Sequence, residues 1–130
     1  MTCIFVGMPT AGSVQDGKIK EDILRLVADM HADDSVTIVA PMIQDYQLLP
    51  FMNVDATYEV WGKRCEDVLI RSDIVAIILC EGWSEPTTKA SEKNYSIGVK
   101  GEIATAKKHG KSIFFVDPAV RPIGFLFPKE

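Results

Sequence analysis

Long apolar runs are missing from this sequence. No stretch approaches the roughly 18 residues that a bilayer-crossing helix needs, so no membrane span is expected. The opening Met1-Thr2-Cys3-Ile4-Phe5-Val6-Gly7 lacks the basic region and cleavage site of a secretory signal and reads as a strand. Cysteine is scarce. Cys3, Cys65 and Cys80 show no CxxC spacing, which suits reduced thiols in a cytoplasmic protein. Only two histidines occur, His31 and His109, and neither lies near a cysteine cluster. No zinc pattern exists, and neither a metal nor a cofactor is expected. Basic residues are in deficit, 14 Lys+Arg against 18 Asp+Glu, which argues against a nucleic-acid polymer as partner. Internal repeats and low-complexity tracts are absent.

What is present is an ordinary globular composition, 47% hydrophobic and 25% charged over 130 residues. One domain spanning 1–130 is expected, with enough chain to bury a core unaided. Residues 2–6 are short and apolar, a buried strand. Residues 7–13 form a loop rich in turn formers. Over residues 18–32, Ile19, Ile23, Leu24, Val27 and Met30 recur at helical spacing, with Asp16 or Gly17 as candidate caps. Residues 36–40 make a second strand, stopped by Pro41. Residues 41–54 carry no clean period and read as a long loop holding Asp45 and Tyr46, with Asp55 just beyond it. A second helix is expected over 55–71, with Trp61, Cys65, Val68 and Leu69 inward.

Residues 74–79 are apolar without alternation, as in a strand covered on both faces of a parallel sheet. Residues 81–95 are polar and read as an excursion or lid containing Trp83, which follows a glycine at a strand end and is a candidate to stack on a ligand. A third helix spans about 98–109 with Gly110 as its stop, and a fourth strand spans 111–116. The tail, 119–130, carries Phe125-Leu126-Phe127, apolar enough to pack on this subunit or a neighbour. The order β-α-β-α-β-α-β predicts an α/β fold, a small doubly wound parallel sheet of four to five strands with flavodoxin-like layering. Ligands of such sheets bind beyond the C-terminal strand ends.

The most informative stretch is Ser96-Ile97-Gly98-Val99-Lys100-Gly101-Glu102-Ile103-Ala104-Thr105-Ala106. Turn residues lead it, an acid follows one helical turn in, and small residues at 101, 104 and 106 allow close packing. Glu102 has two readings. In one it is a dipole partner on a solvated face. In the other it is a carboxylate aimed into the crevice. Gly98 allows close backbone approach, bare N–H groups favour an anion, Ser96 adds a hydroxyl, and Lys100 lies near enough to assist.

The segment from Ser96 to Glu102 resembles the Ser/Asp-x-Gly-x-x-x-Glu signature of the nucleoside 2-deoxyribosyltransferase superfamily. In its Ser form it is similar to the 2′-deoxynucleoside 5′-monophosphate N-glycosidases. Trp61, Arg64-Cys65, Ser72-Asp73, Gly82-Trp83 and Gly110-Lys111 extend the resemblance, as do Ile4-Phe5-Val6-Gly7 and Pro9 in the first strand and loop. The resemblance implies cleavage or transfer at the N-glycosidic bond of a nucleoside or nucleoside 5′-monophosphate. Glu102 would be the nucleophile, and Ser96 with Gly98 would hold the phosphate or sugar end. Gly7 and Pro9 would line the site. It also implies a homo-oligomer, because family members complete each site with a neighbour's residues. The acid that the family carries in the second helix falls on Cys65, and the Tyr of its first strand on Phe5. Asp55 or Asp45 would then assist the base. The same two differences favour an alternative: a non-catalytic protein that senses or sequesters a nucleotide derivative.

Overall fold

A computed structural model describes residues 2–8, 13–48, 51, 58–79 and 97–118. Four parallel strands form the centre: β1 (Thr2–Gly7), β4 (Val36–Val39), β5 (Ile74–Ile78) and β6 (Ser112–Val116), in the order β4-β1-β5-β6. A two-stranded hairpin, β2 (Val14–Gln15) and β3 (Lys18–Ile19), forms a separate sheet whose Ile19 is buried in the same core. The helices are α1 (Glu21–Met30), α2 (Pro41–Leu48), α3 (Tyr58–Arg71) and α4 (Ile97–Lys108). This is the parallel α/β architecture that the alternation of segments predicts.

The apolar runs explain the layering. Successive residues of a strand point to opposite faces, so a strand covered twice must be apolar throughout. In β5, Ile74, Ala76 and Ile78 join Ile23, Leu26, Val27 and Met30 of α1 on one face. Val75 and Ile77 join Leu69 of α3 and Val99, Ile103 and Ala106 of α4 on the other. β1 divides likewise, with Ile4 and Val6 toward α1 and Phe5 toward α4. Leu69 is fully buried, and Cys65 and Val68 pack partly buried against the same cluster, as expected for the inner face of α3, while the side chain of Trp61 lies outside the described part of the structure. Ala106 is buried, but Ala104 is exposed, so not every small residue of α4 lies on the sheet.

Two segments differ from expectation. Asp16 and Gly17 do not cap α1. Both have positive φ, 53° and 76°, and they form the two-residue turn of the hairpin. Asp-Gly suits such a turn because both central positions need φ above zero. Lys20 occupies the N-cap instead, without a side-chain cap, while Glu21 and Asp22 set negative charge against the helix dipole. Residues 41–48 are helix rather than loop. Pro41 opens α2, where its fixed φ suits the first position and its missing N–H has no bond to lose. The Ala40 carbonyl accepts hydrogen bonds from the Ile43 and Gln44 N–H groups at 3.1 and 3.4 Å.

The N-terminal edge of the sheet is pinned by a small polar clamp. Asp73 Oδ2 accepts from the Cys3 N–H at 2.8 Å, and the Asp73 N–H donates to the Cys3 carbonyl at 2.8 Å. Buried Ser72 donates to the Val68 carbonyl at 2.9 Å, and the Cys3 thiol lies 3.7 Å from its Oγ. The Ser72-Asp73 pair therefore fastens the end of α3 to the start of β1. Gly110 ends α4 as expected, at φ 68°, and the Lys111 N–H reaches back to the Ala106 carbonyl at 2.9 Å.

Candidate functional site

The chain passes from β1 outward to β4, then returns to the other side of β1 to lay down β5 and β6. The direction of winding reverses between β1 and β5. In open α/β sheets, that reversal leaves a crevice beyond the C-terminal strand ends. Gly7 closes β1 at this point and pairs with Ile77 of β5. Residue 7 follows the parity of Phe5, so a side chain there would project toward α4.

α4 fills the space that Gly7 leaves. Val99, Ile103 and Ala106 form its buried stripe, and Glu102 sits in that stripe between the first two. A Cβ at position 7 would collide with Glu102 Oε2, and would stand 3.2 Å from its Cδ and 2.9 Å from Ile77 Cδ1. The carboxyl therefore lies against the bare backbone of β1, at the switch point. Glu102 as a residue retains some exposure, but Oε2 is sealed from solvent and has no hydrogen-bond partner among the described residues.

Burial pushes the Glu102 carboxyl up to about 8, with no contribution from a charge among the described residues. Near neutral pH the group is mostly a neutral acid. In that form it can donate a proton or a hydrogen bond. Ionised, it can attack an electrophilic carbon or take a proton. Perturbed carboxyls in a crevice concentrate at functional sites. The solvated-face reading of Glu102 is thereby overturned. The first turn of α4 carries no acid, and residue 102 belongs to the second turn, pointing inward.

Of the other candidates, Gly7 meets Glu102 directly. Gly98 lies half-buried in the first turn of α4, the end from which free N–H groups project. Lys100 is exposed, and lies about 200° around the helix from Glu102. Asp45 belongs to α2, with its side chain outside the described part of the structure. Pro9, Asp55, Trp83 and Ser96 lie outside the described residues, as does the tail 119–130. Phe5 is 1% exposed, a core residue on the α4 face. One polar residue escapes a reading of the sequence. Ser13 is fully buried and its Oγ has no partner among the described residues. Its sequence context, a turn-rich loop, gives no sign of that burial.

Among the described residues, no group of three or more His, Cys, Asp or Glu side chains is arranged to hold a metal ion. Among them too, no helix is long and apolar enough to cross a membrane. No family model, curated protein or solved structure matches the chain.

Proposed function

We propose that this protein cleaves or transfers the N-glycosidic bond of a nucleoside or nucleoside 5′-monophosphate, with Glu102 as nucleophile. The observation that carries the reading is the Glu102 carboxyl packed against Gly7 at the switch point, buried and without a partner for Oε2 among the described residues. The resemblance of Ser96 to Glu102 to the deoxyribosyltransferase signature supplies the substrate class.

The chemistry runs in two displacements. A carboxylate oxygen of Glu102 attacks the anomeric carbon, forming a C–O ester as the C–N bond to the base breaks. The base leaves with the electron pair and needs a proton, which Asp55 or Asp45 would deliver. Water, or a second base, then attacks the same carbon and frees the Glu102 carboxylate. Whichever of the two attacks, its surplus proton passes to the group that protonated the leaving base. A 5′-phosphate is accommodated by the N-terminus of α4, where Gly98 allows backbone approach and Ser96 adds a donor. Neither step calls for a cofactor, and the partners are small molecules with a second copy of the chain.

Incubation with a panel of nucleosides and 5′-monophosphates is expected to release free base. Glu102→Ala is expected to reduce release by at least about 1,000-fold, the scale lost when a nucleophile is removed. A nucleophile must be ionised, so kcat/KM is expected to rise with pH and level off above about 8. A profile with no rising limb through this pH would sink the nucleophile assignment.

A second reading draws on two positions. Phe5 is buried in the core and Cys65 packs half-buried against it, so neither brings a hydroxyl or an acid to the crevice. Binding of a nucleotide derivative without bond cleavage follows from that pair. Tight binding with no base release, retained in Glu102→Ala, favours this reading.

A further inference from the structure

The buried oxygen of Glu102 poses a chemical problem. A carboxylate that carries charge away from water needs a hydrogen-bond donor or a cation beside it. Among the described residues, Oε2 has no hydrogen-bond partner. β1 brings Gly7 and Phe5 to this face, and its one titratable side chain, Cys3, lies at the opposite edge of the sheet. β5 and β6 contain no titratable residue. On α3, the Cys65 thiol packs half-buried against the same cluster, while Lys63, Arg64, Glu66, Asp67 and Arg71 are exposed. On α4 itself, Lys100, Lys107 and Lys108 are exposed as well. Burial alone accounts for the upward shift of the group, so none of these charges reaches it.

We infer that Glu102 is a neutral acid while the crevice is empty, and that a hydroxyl-bearing sugar ligand discharges its proton on binding. This rests on the glycosidic reading for the class of ligand. The sugar hydroxyls donate to the carboxylate, and the displaced proton passes to solvent, so charge and atoms balance without a co-reactant. Binding and ionisation become one linked event. The nucleophile is thus formed only when a sugar is in place, and the empty protein presents a weakly reactive acid to other electrophiles.

The test uses the full chain and two probes that lack a glycosidic base, ribose 5-phosphate and 2-deoxyribose 5-phosphate, so that no turnover intervenes. Calorimetric titration in buffers of different protonation enthalpy counts the protons exchanged. Glu102→Gln, a neutral isostere, is titrated in parallel to subtract the titration of the phosphate itself. At about pH 7 the wild type is expected to release about one proton per site more than the variant, and at about pH 9.5 that excess is expected to vanish. Below about pH 8 the wild-type Kd is expected to weaken by about tenfold per pH unit relative to Glu102→Gln. Infrared difference spectra of the wild type give a check independent of any variant. The stretch of a protonated carboxyl is expected near neutral pH and is expected to disappear when the sugar phosphate is added.

Binding without excess proton release, or a carboxyl band that persists in the complex, overturns the inference. Base release that continues under that result leaves the glycosidic reading standing. Proton release without any base release has the opposite meaning: the coupling stands and the catalytic reading falls. Failure of both sugar phosphates to bind removes the ligand class and the coupling together.

Discussion

At the residue scale, Glu102 and Gly7 act as one unit. The carboxyl occupies a slot that exists because residue 7 has no side chain. Gly7→Ala places a methyl group where Oε2 sits, yet the atoms it meets are the ends of movable side chains, Glu102 and Ile77. The fold is therefore expected to survive with a loss of about 1–3 kcal/mol, while Glu102 is pushed away and base release collapses. Adding Glu102→Ala is expected to recover part of that stability and none of the activity. Denaturant titration of the four-way cycle should give a coupling of about 1 kcal/mol or more, and strict additivity would separate the two residues. The buried acid also sets a pH dependence of stability. Its folded value, about 8, lies above the ordinary 4.5, so between these limits the folded chain holds a proton that the unfolded chain has lost. The stabilisation is complete below about pH 4.5 and disappears as pH rises through about 8, at roughly 1.4 kcal/mol per unit. Thermal unfolding from acid to mildly alkaline pH is expected to show the wild type losing a few kcal/mol relative to Glu102→Gln. Parallel curves for the two proteins would mean that the carboxyl is not buried in solution.

At the scale of elements, the legible features are those that a single local rule determines. β5 is readable because burial on both faces demands an unbroken apolar run. The end of α4 is readable because Gly110 has φ 68°, a conformation that glycine adopts without strain. A Cβ at Gly110 meets nothing within 4 Å, so Gly110→Ala tests the backbone alone. It is expected to cost about 1 kcal/mol in denaturant titration and to leave base release unchanged. The hairpin and α2 are obscured by residues with two local uses. Asp-Gly serves as a turn or as a helix start, and Pro41 as a strand stop or as a first helical residue. Their pairing partners and packing decide between those uses. Of the candidate site, Gly7 and Glu102 are legible in the sequence as residues, but not their contact. An acid early in a helix reads as a dipole partner until its contact is known. Here that contact is a glycine near the other end of the chain, brought close only by the crossing of α4 over the sheet.

For the molecule as a whole, the apolar tail Phe125-Leu126-Phe127 is the sequence feature that suggests self-association. The full chain is expected to elute in size exclusion as an oligomer, and a chain lacking residues 119–130 as a monomer. Elution of both as monomers removes the shared interface. The described sheet has two rims with separate duties. The Cys3, Ser72 and Asp73 contacts knot the strand beginnings together, while Glu102 and Gly7 meet at the strand endings. A substitution at one rim therefore leaves the contacts of the other in place: losing Glu102 or Gly7 does not undo the knot that Cys3, Ser72 and Asp73 tie at the far end of the same strands.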